Sequence, residues 1–380
     1  MSVYAGSKIV TTQLIYAYDM KNTQKSWKGM PTTNVISSSD TMAGWTNYYR
    51  TTASSTFTTE MGTTGYRFFY QPSWNGIYKS ITLPSTGTYT FSAWYRYWGG
   101  STNNNGATVY VSGWGGGDSA TSINKNLVGT WQRISLTLNC TSTSMTYYII
   151  SYGGSDTGTT SPDWSTWEVT MPQVESGSVM SSYTSGTRSS TQAVLDMSPY
   201  NTTITTNSLT YNSDGTFSWT SGVNASLTSP SSSNYAFGVG DFTLECWINP
   251  VNFSGYTHMI ALPDQNTFAL KANTGDGAIY FYSPSFTTYP TTGWTLVAST
   301  WNHVVLTRVS GVAYCYLNGQ LKGSKSGFSG SFSAQSLSIG NGYSGEYTGK
   351  TISSVRIYSY GLSASEIQQN FNATRSLFGV

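Results

Sequence analysis

The sequence predicts an all-β protein: two tandem antiparallel β-sandwiches of the jelly-roll kind, closed by one short C-terminal helix. Three observations predict it. Short runs that alternate apolar and polar residues recur along the chain, separated by clusters of Gly, Asn and Ser. Helical periodicity is missing until the C-terminus. An Asn318-Gly319 pair lies between two strand-like runs, where positive φ at both central positions closes a two-residue hairpin.

In the first half the strand-like runs are Thr88 to Tyr95, Ala107 to Ser112, Trp131 to Leu138 and Met145 to Ile150. Short strands at such spacing indicate a sandwich or jelly roll. In the second half, Trp301 to Val309, Ala313 to Leu317 and Gln320 to Gly323 follow one another around the Asn-Gly turn. Tyr183 to Thr191 is rich in Ser, Thr and Gly and reads as a linker. Near the end, Ser363-Ala364-Ser365-Glu366 is a capping box that starts a helix, with Ile367 and Phe371 one turn apart on the face that meets the sandwich.

The chain has 380 residues, enough for two or three domains. Charged residues make up 9%, far below the usual quarter, while aromatics reach 15%. The surface is therefore built largely from Ser, Thr, Asn, Gly and Tyr, groups suited to sugars and flat protein partners. A net charge of +2 without a basic block argues against nucleic acid. No apolar run approaches a membrane span and the first residues lack a secretory pattern, so the expectation is synthesis in a cytosol with no membrane insertion. Cys140, Cys246 and Cys315 are an odd number without CxxC spacing and read as small buried hydrophobes, reduced and free. With two histidines there is no zinc-type cluster, and His303 reads as a packed or hydrogen-bonded strand residue.

Two resemblances organise the chain. Asp241 to Pro250 (DFTLECWINP), Trp301-Asn302-His303-Val304, the Asn318-Gly319 hairpin, Leu337 to Gly340, Val355 to Tyr358 and Leu362 to Ile367 stand in the order of the LamG-like, or concanavalin A-like, jelly roll. That resemblance covers Ala193 to the C-terminus. Gly87 to Trp94, Gly129 to Ser135, and Met171 to Ser178 with Ser182-Tyr183-Thr184 resemble the carbohydrate-binding-module type of jelly roll in tailed-phage structural proteins. Val174 and Ser176 depart from the closing-strand pattern of that type, and the stretch after Tyr183 is shortened. Leu14 to Asp19 and Gly29 to Asn34 are similar to the opening segment of the same phage proteins. The expected order is an N-terminal attachment segment over 1–33, a carbohydrate-binding-module-like sandwich over 34–186, a linker over 187–192 and a LamG-like sandwich over 193–380.

The concanavalin A-like resemblance also admits glucanases, which need paired acids about 5 Å apart across one glycosidic bond. No Glu-x-Asp-x-Glu run occurs. Asp241 and Glu245, four residues apart on one strand, stand about 13 Å apart and read as a solvated face, with Asp241 as an alternative turn cap. No Ser/His/Asp set, GxSxG or phosphate loop is found, so the expectation is no enzyme. The resemblance implies calcium as the one cofactor to weigh, with Asp264, Asp276 and Asn273 as its oxygen donors; Asp276-Gly277 equally fits a plain turn. Sugar binding relies on aromatic platforms, and the loop aromatics Trp98, Trp114, Trp164, Tyr256, Tyr343 and Tyr347 are the candidates.

Together these observations lead to a non-catalytic virion protein, either capsid-decorating or a compact neck or tail appendage. Its expected partners are other virion proteins, copies of itself and cell-surface glycans, and its expected place is the virion surface after synthesis in the host cytoplasm. A tail-fibre or receptor-binding adhesin and a polysaccharide-cleaving enzyme are the alternatives.

Overall fold

The structure, a computed structural model, describes residues 8–49, 54–72, 74–100, 106–151, 164–212, 216–262, 268–283, 286–288, 294–328, 330–341 and 348–380. The architecture is all-β as expected, with antiparallel sheets and, among the described residues, one α-helix, Ala364–Thr374. Two compact units form, one from Pro31–Arg188 and the other from Met1–Met30 together with Ser189–Val380. The first is therefore an insertion within the second in chain order. We refer to them as the inserted unit and the terminal unit.

The terminal unit contains an eight-stranded and a seven-stranded sheet. In the larger sheet, Lys350–Tyr358, Phe242–Pro250, Asn302–Val309, Val312–Leu317 and Gln320–Lys325 follow one another, the last at an edge. Phe242, Leu244, Cys246 and Ile248 alternate along one strand and are all buried, as period two requires of one face. Phe242 meets Phe268, Phe328 and Phe332 edge to face. The intervening Thr243, Glu245 and Trp247 point the other way, and the C-terminal helix covers Glu245 and Trp247. Trp247 stacks on Phe371 and Phe378, and its Nε1 donates to Thr374 Oγ1 at 3.0 Å. The helix begins with the expected capping box at Ser363 and Glu366, and Ile367 and Phe371 are buried. Asn318 (φ 52°) and Gly319 (φ 75°) make the expected hairpin turn between Leu317 and Gln320.

The N-terminal stretch is not a separate arm. Leu14–Asp19 pairs antiparallel with Lys350–Tyr358, from Leu14 opposite Tyr358 to Asp19 opposite Ser354. Its outer edge is closed as well, because Ala17 N donates to Asp196 Oδ1 and Ala17 O accepts from Met197 N, each at 2.8 Å. An apolar Leu-Ile-Tyr run too short to fold alone is thus completed by a sheet of its own chain. The stretch expected as a linker is ordered too. Thr187–Arg188 pairs with Thr32–Thr33 at the two ends of the inserted unit, and Arg188 is buried with Nη1 donating to Ser181 Oγ at 2.8 Å.

The inserted unit packs two five-stranded sheets. In one, Trp131–Cys140, Gly87–Gly100, Trp164–Ser176, Thr64–Pro72 and Ser54–Thr58 lie side by side. Tyr89, Phe91, Ala93, Tyr95 and Tyr97 fill the core from the long second strand, together with Phe68 stacked on Trp167. In the other sheet Tyr78, Tyr148 and Tyr110 face one another across three strands, with ring centroids 5.8 and 5.3 Å apart.

Cys140, Cys246 and Cys315 are free and buried, and burial pushes all three thiols up, away from reactivity.

Candidate functional site

The alternation that buries Tyr95 and Tyr97 turns Trp94, Arg96 and Trp98 to the opposite face of the same strand. There the sheet register aligns one row. Trp131 is opposite Arg96, Arg96 opposite Glu168, Glu168 opposite Arg67, and Arg67 opposite Ser55. One carboxylate and two guanidinium groups are therefore joined across the sheet, with an indole at one end.

Arg96 is the centre of this row. Its Nε donates to Glu168 Oε2 at 2.6 Å and its Nη1 to Glu60 Oε1 at 2.7 Å. Its guanidinium lies over Trp131, 4.5 Å from the ring centroid, and over Trp98 at 5.1 Å. Trp131 Nε1 in turn donates to Glu60 Oε2 at 3.1 Å. Arg67 bonds the other oxygen of Glu168 and lies over Phe57 at 4.7 Å. Burial alone pulls Arg96 down, but its bonds to Glu60 and Glu168 outweigh burial and raise it. The hydrogen bond from Arg96, with help from Trp131, lowers the Glu60 carboxyl to about 2.

What remains open to solvent is aromatic and polar. Trp98 is 45% exposed, Phe69 42%, the Glu60 side chain 65% and the Arg67 side chain 36%. Towards the other end of the sheet the face closes: Ser181 N donates to Glu175 at 3.0 Å, and Arg133 donates to Ser92 Oγ at 3.0 Å. An indole packed against a guanidinium and partly exposed can serve as a platform for the apolar face of a pyranose ring, and a nearby carboxylate can accept hydroxyls.

Of the six aromatics expected at a sugar site, this face contains Trp98. Trp114 is instead half-buried against the core of the inserted unit, with Nε1 donating to Gly117 O at 2.7 Å, so it belongs to its own loop. Tyr256 is in the terminal unit, half-buried, with the Lys271 ammonium 3.9 Å from its ring centroid. Trp164 opens the strand Trp164–Ser176, and its side chain lies outside the described residues, as do Tyr343 and Tyr347. Trp131, Arg96, Glu60, Glu168 and Arg67 were not singled out in the sequence. Outward alternation at Trp94, Arg96 and Trp98 was the available signal, and the register that supplies the partners is not written locally.

Among the calcium candidates, Asp264 lies outside the described residues. Asp276 Oδ1 accepts from Ala278 N at 3.0 Å and Asn273 N donates to Ala278 O at 2.8 Å, the bonds of an ordinary turn. No group of three His, Cys, Asp or Glu suited to a metal occurs among the described residues.

Glu245 requires a correction. It is fully buried, not on a solvated face, because the helix and the N-terminal stretch cover that side of the sheet. Burial pushes its carboxyl up, but His303 Nε2 at 3.0 Å, Arg356 Nη1 at 3.1 Å and Asn370 Nδ2 at 2.7 Å reverse that and lower it. Asp241 caps a turn, accepting from Ser310 N at 2.8 Å. His303 is the hydrogen-bonded strand residue expected of it.

Residues 220–368 match the profile of the concanavalin A-like lectin/glucanases superfamily. The matched segment lies within the terminal unit. No curated protein matches the chain. Among solved structures it is similar to the binding domain of botulinum neurotoxin DC in complex with SialylT, at 16% identity and a TM-score of 0.40 over 48% of this chain and 49% of that one. It is also similar to the serotype D binding domain, at 18% identity and a TM-score of 0.37, over 48% and 49%. The chain thus overlaps about half the length of these structures. Among the described residues no helix is long and apolar enough to cross a membrane.

Proposed function

We propose that the chain is a non-catalytic glycan-binding structural protein of a phage-like virion, and that the outer face around Trp98 is where it touches sugar. The observation that supports glycan binding is the open indole of Trp98, fixed against Arg96 beside Trp131 and next to the exposed carboxylate of Glu60. Fixed aromatic and charged groups cost little ordering on binding.

The absence of catalysis is supported by the two carboxylates of this face. A glycosidase needs one carboxyl raised towards neutrality as a proton donor. Glu60 is shifted the opposite way, to about 2, and both it and Glu168 are bonded to Arg96.

The virion setting is supported by the colinear resemblance of the first half to phage jelly rolls and by a surface poor in charge. The proposed place is the virion surface, as capsid decoration or a compact neck or tail appendage, after synthesis in the host cytoplasm. Other virion proteins, further copies of the chain and cell-surface glycans are the proposed partners.

Screening the full chain against an oligosaccharide array tests the glycan reading. Trp98→Ala and Trp131→Ala should each lower binding by about tenfold or more, the size of a lost aromatic platform. Glycan binding untouched by both substitutions would move the site elsewhere. Mass spectrometry of purified particles tests the setting, and absence of the chain from them contradicts it.

A further inference from the structure

The charged row beneath Trp98 has a bearing on which glycans can bind, an inference that rests on the glycan reading above. Each guanidinium of the row is bonded to Glu168, and the one over the indoles, Arg96, also to Glu60. Arg96 is nearly buried and divides its donors between Glu60 and Glu168. Arg67 is held by the fully buried Glu168 and by the ring of Phe57. The two arginines of the row cancel in charge with Glu168 and with Glu60, which bonds Arg96 from outside the row. The most exposed of the four is a carboxylate, that of Glu60, with 65% of its side chain open beside the indoles.

We propose that this face selects uncharged glycans and rejects sugars bearing carboxylate, sulfate or phosphate. A neutral pyranose can stack on Trp98 and donate a hydroxyl to Glu60. An acidic sugar in the same position sets its anion against that carboxylate, while Arg96, the guanidinium that lies over the indoles, is already bonded to Glu60 and Glu168. Like charges brought into contact repel, and salt screens that repulsion. The hydrogen bond from Arg96 keeps Glu60 ionised down to about pH 2, so mild acid does not relieve the repulsion.

The test measures binding of the full chain to matched pairs: β-1,4-mannohexaose against β-1,4-mannuronate hexasaccharide, and desialylated against sialylated lactosamine. The measurements run at about 0.15 M and about 1 M salt, with Trp98→Ala as the control for the face. The expected result is at least about tenfold preference for the neutral member. That preference narrows at high salt and narrows in Glu60→Gln, which keeps the hydrogen-bonding shape but removes the charge. Equal or tighter binding of the acidic member, lost in Trp98→Ala, overturns the selectivity while leaving the glycan face standing. Preference for the neutral member that Glu60→Gln leaves at full size also overturns it. If neither member of either pair binds in a Trp98-dependent way, the glycan reading of this face falls and the selectivity falls with it.

Discussion

Val10 and Asn370, 360 positions apart in the chain, are joined by a buried hydrogen bond: Val10 N donates to Asn370 Oδ1 at 2.8 Å. Asn370 Nδ2 donates on to Glu245 and, at 2.9 Å, meets the Tyr358 hydroxyl, which donates to Val10 O at 3.1 Å. N-terminal stretch, central strand and C-terminal helix therefore share one polar network on the covered side of the sheet. Removing residues 1–19 should destabilise the terminal unit by several °C in Tm or leave it unfolded. Asn370→Ala, which removes the partner of Val10 N and of Glu245 Oε2, should cost about 1–3 kcal/mol in a denaturant titration. Wild-type stability after the truncation would show that the strand is dispensable. Because the Glu245 carboxyl is lowered in the fold, its contribution is present above the ordinary carboxylate range and is lost as pH falls below it.

Arg308 is fully buried, and its guanidinium donates to the carbonyls of Gly238, Gly240 and Gly330 while lying 4.8 Å from the Phe242 ring centroid. Lysine cannot reproduce that planar set of donors. Arg308→Lys should lower stability by about 2–4 kcal/mol, read from the shift in urea midpoint. An unchanged midpoint would mean that the fork of donors contributes little.

Lys350 is buried, donates to Thr348 O at 3.0 Å, and is lowered by burial to about 7. Its unfolded value is about 10.4, so between about 7 and about 10 the unfolded chain holds more protons than the folded one, and stability rises with pH in that window. Lys350→Met should raise Tm at pH 7 by several °C and flatten the rise between pH 7 and 9. A lower Tm at pH 7 would mean that the ammonium is stabilised in place.

The inserted unit begins and ends on paired strands, with Thr33 opposite Thr187 and Thr32 opposite Arg188. On the terminal side of the junction Lys28 N donates to Ala193 O at 2.9 Å. The chain therefore leaves and returns at neighbouring points, the geometry that tolerates domain insertion. Replacing residues 31–188 with a short Gly/Ser linker should leave a soluble terminal unit with a cooperative melt. Loss of that melt would show that the units do not fold independently.

Much of the fold is legible in the sequence because it is locally specified. Alternation marks the strands, Asn318-Gly319 fixes its hairpin and Ser363 with Glu366 fixes the helix start. What was missed depends on pairing between distant residues. Leu14–Asp19 looks like a loose arm until Lys350–Tyr358 supplies its partner strand. Glu245 looks solvated until the helix lies over it. Trp98 was visible as an aromatic near a Gly pair, whereas its neighbours Trp131, Glu168 and Arg67 are brought to it by the register of three other strands.

The central claim, that the open face around Trp98 is the sugar-contacting surface, is tested most directly by a crystal structure of the full chain with the tightest neutral oligosaccharide from the array. The account predicts a pyranose ring stacked on Trp98 with a hydroxyl at the Glu60 carboxylate. A sugar seated on the terminal unit, with Trp98 and Trp131 uncovered, would contradict it.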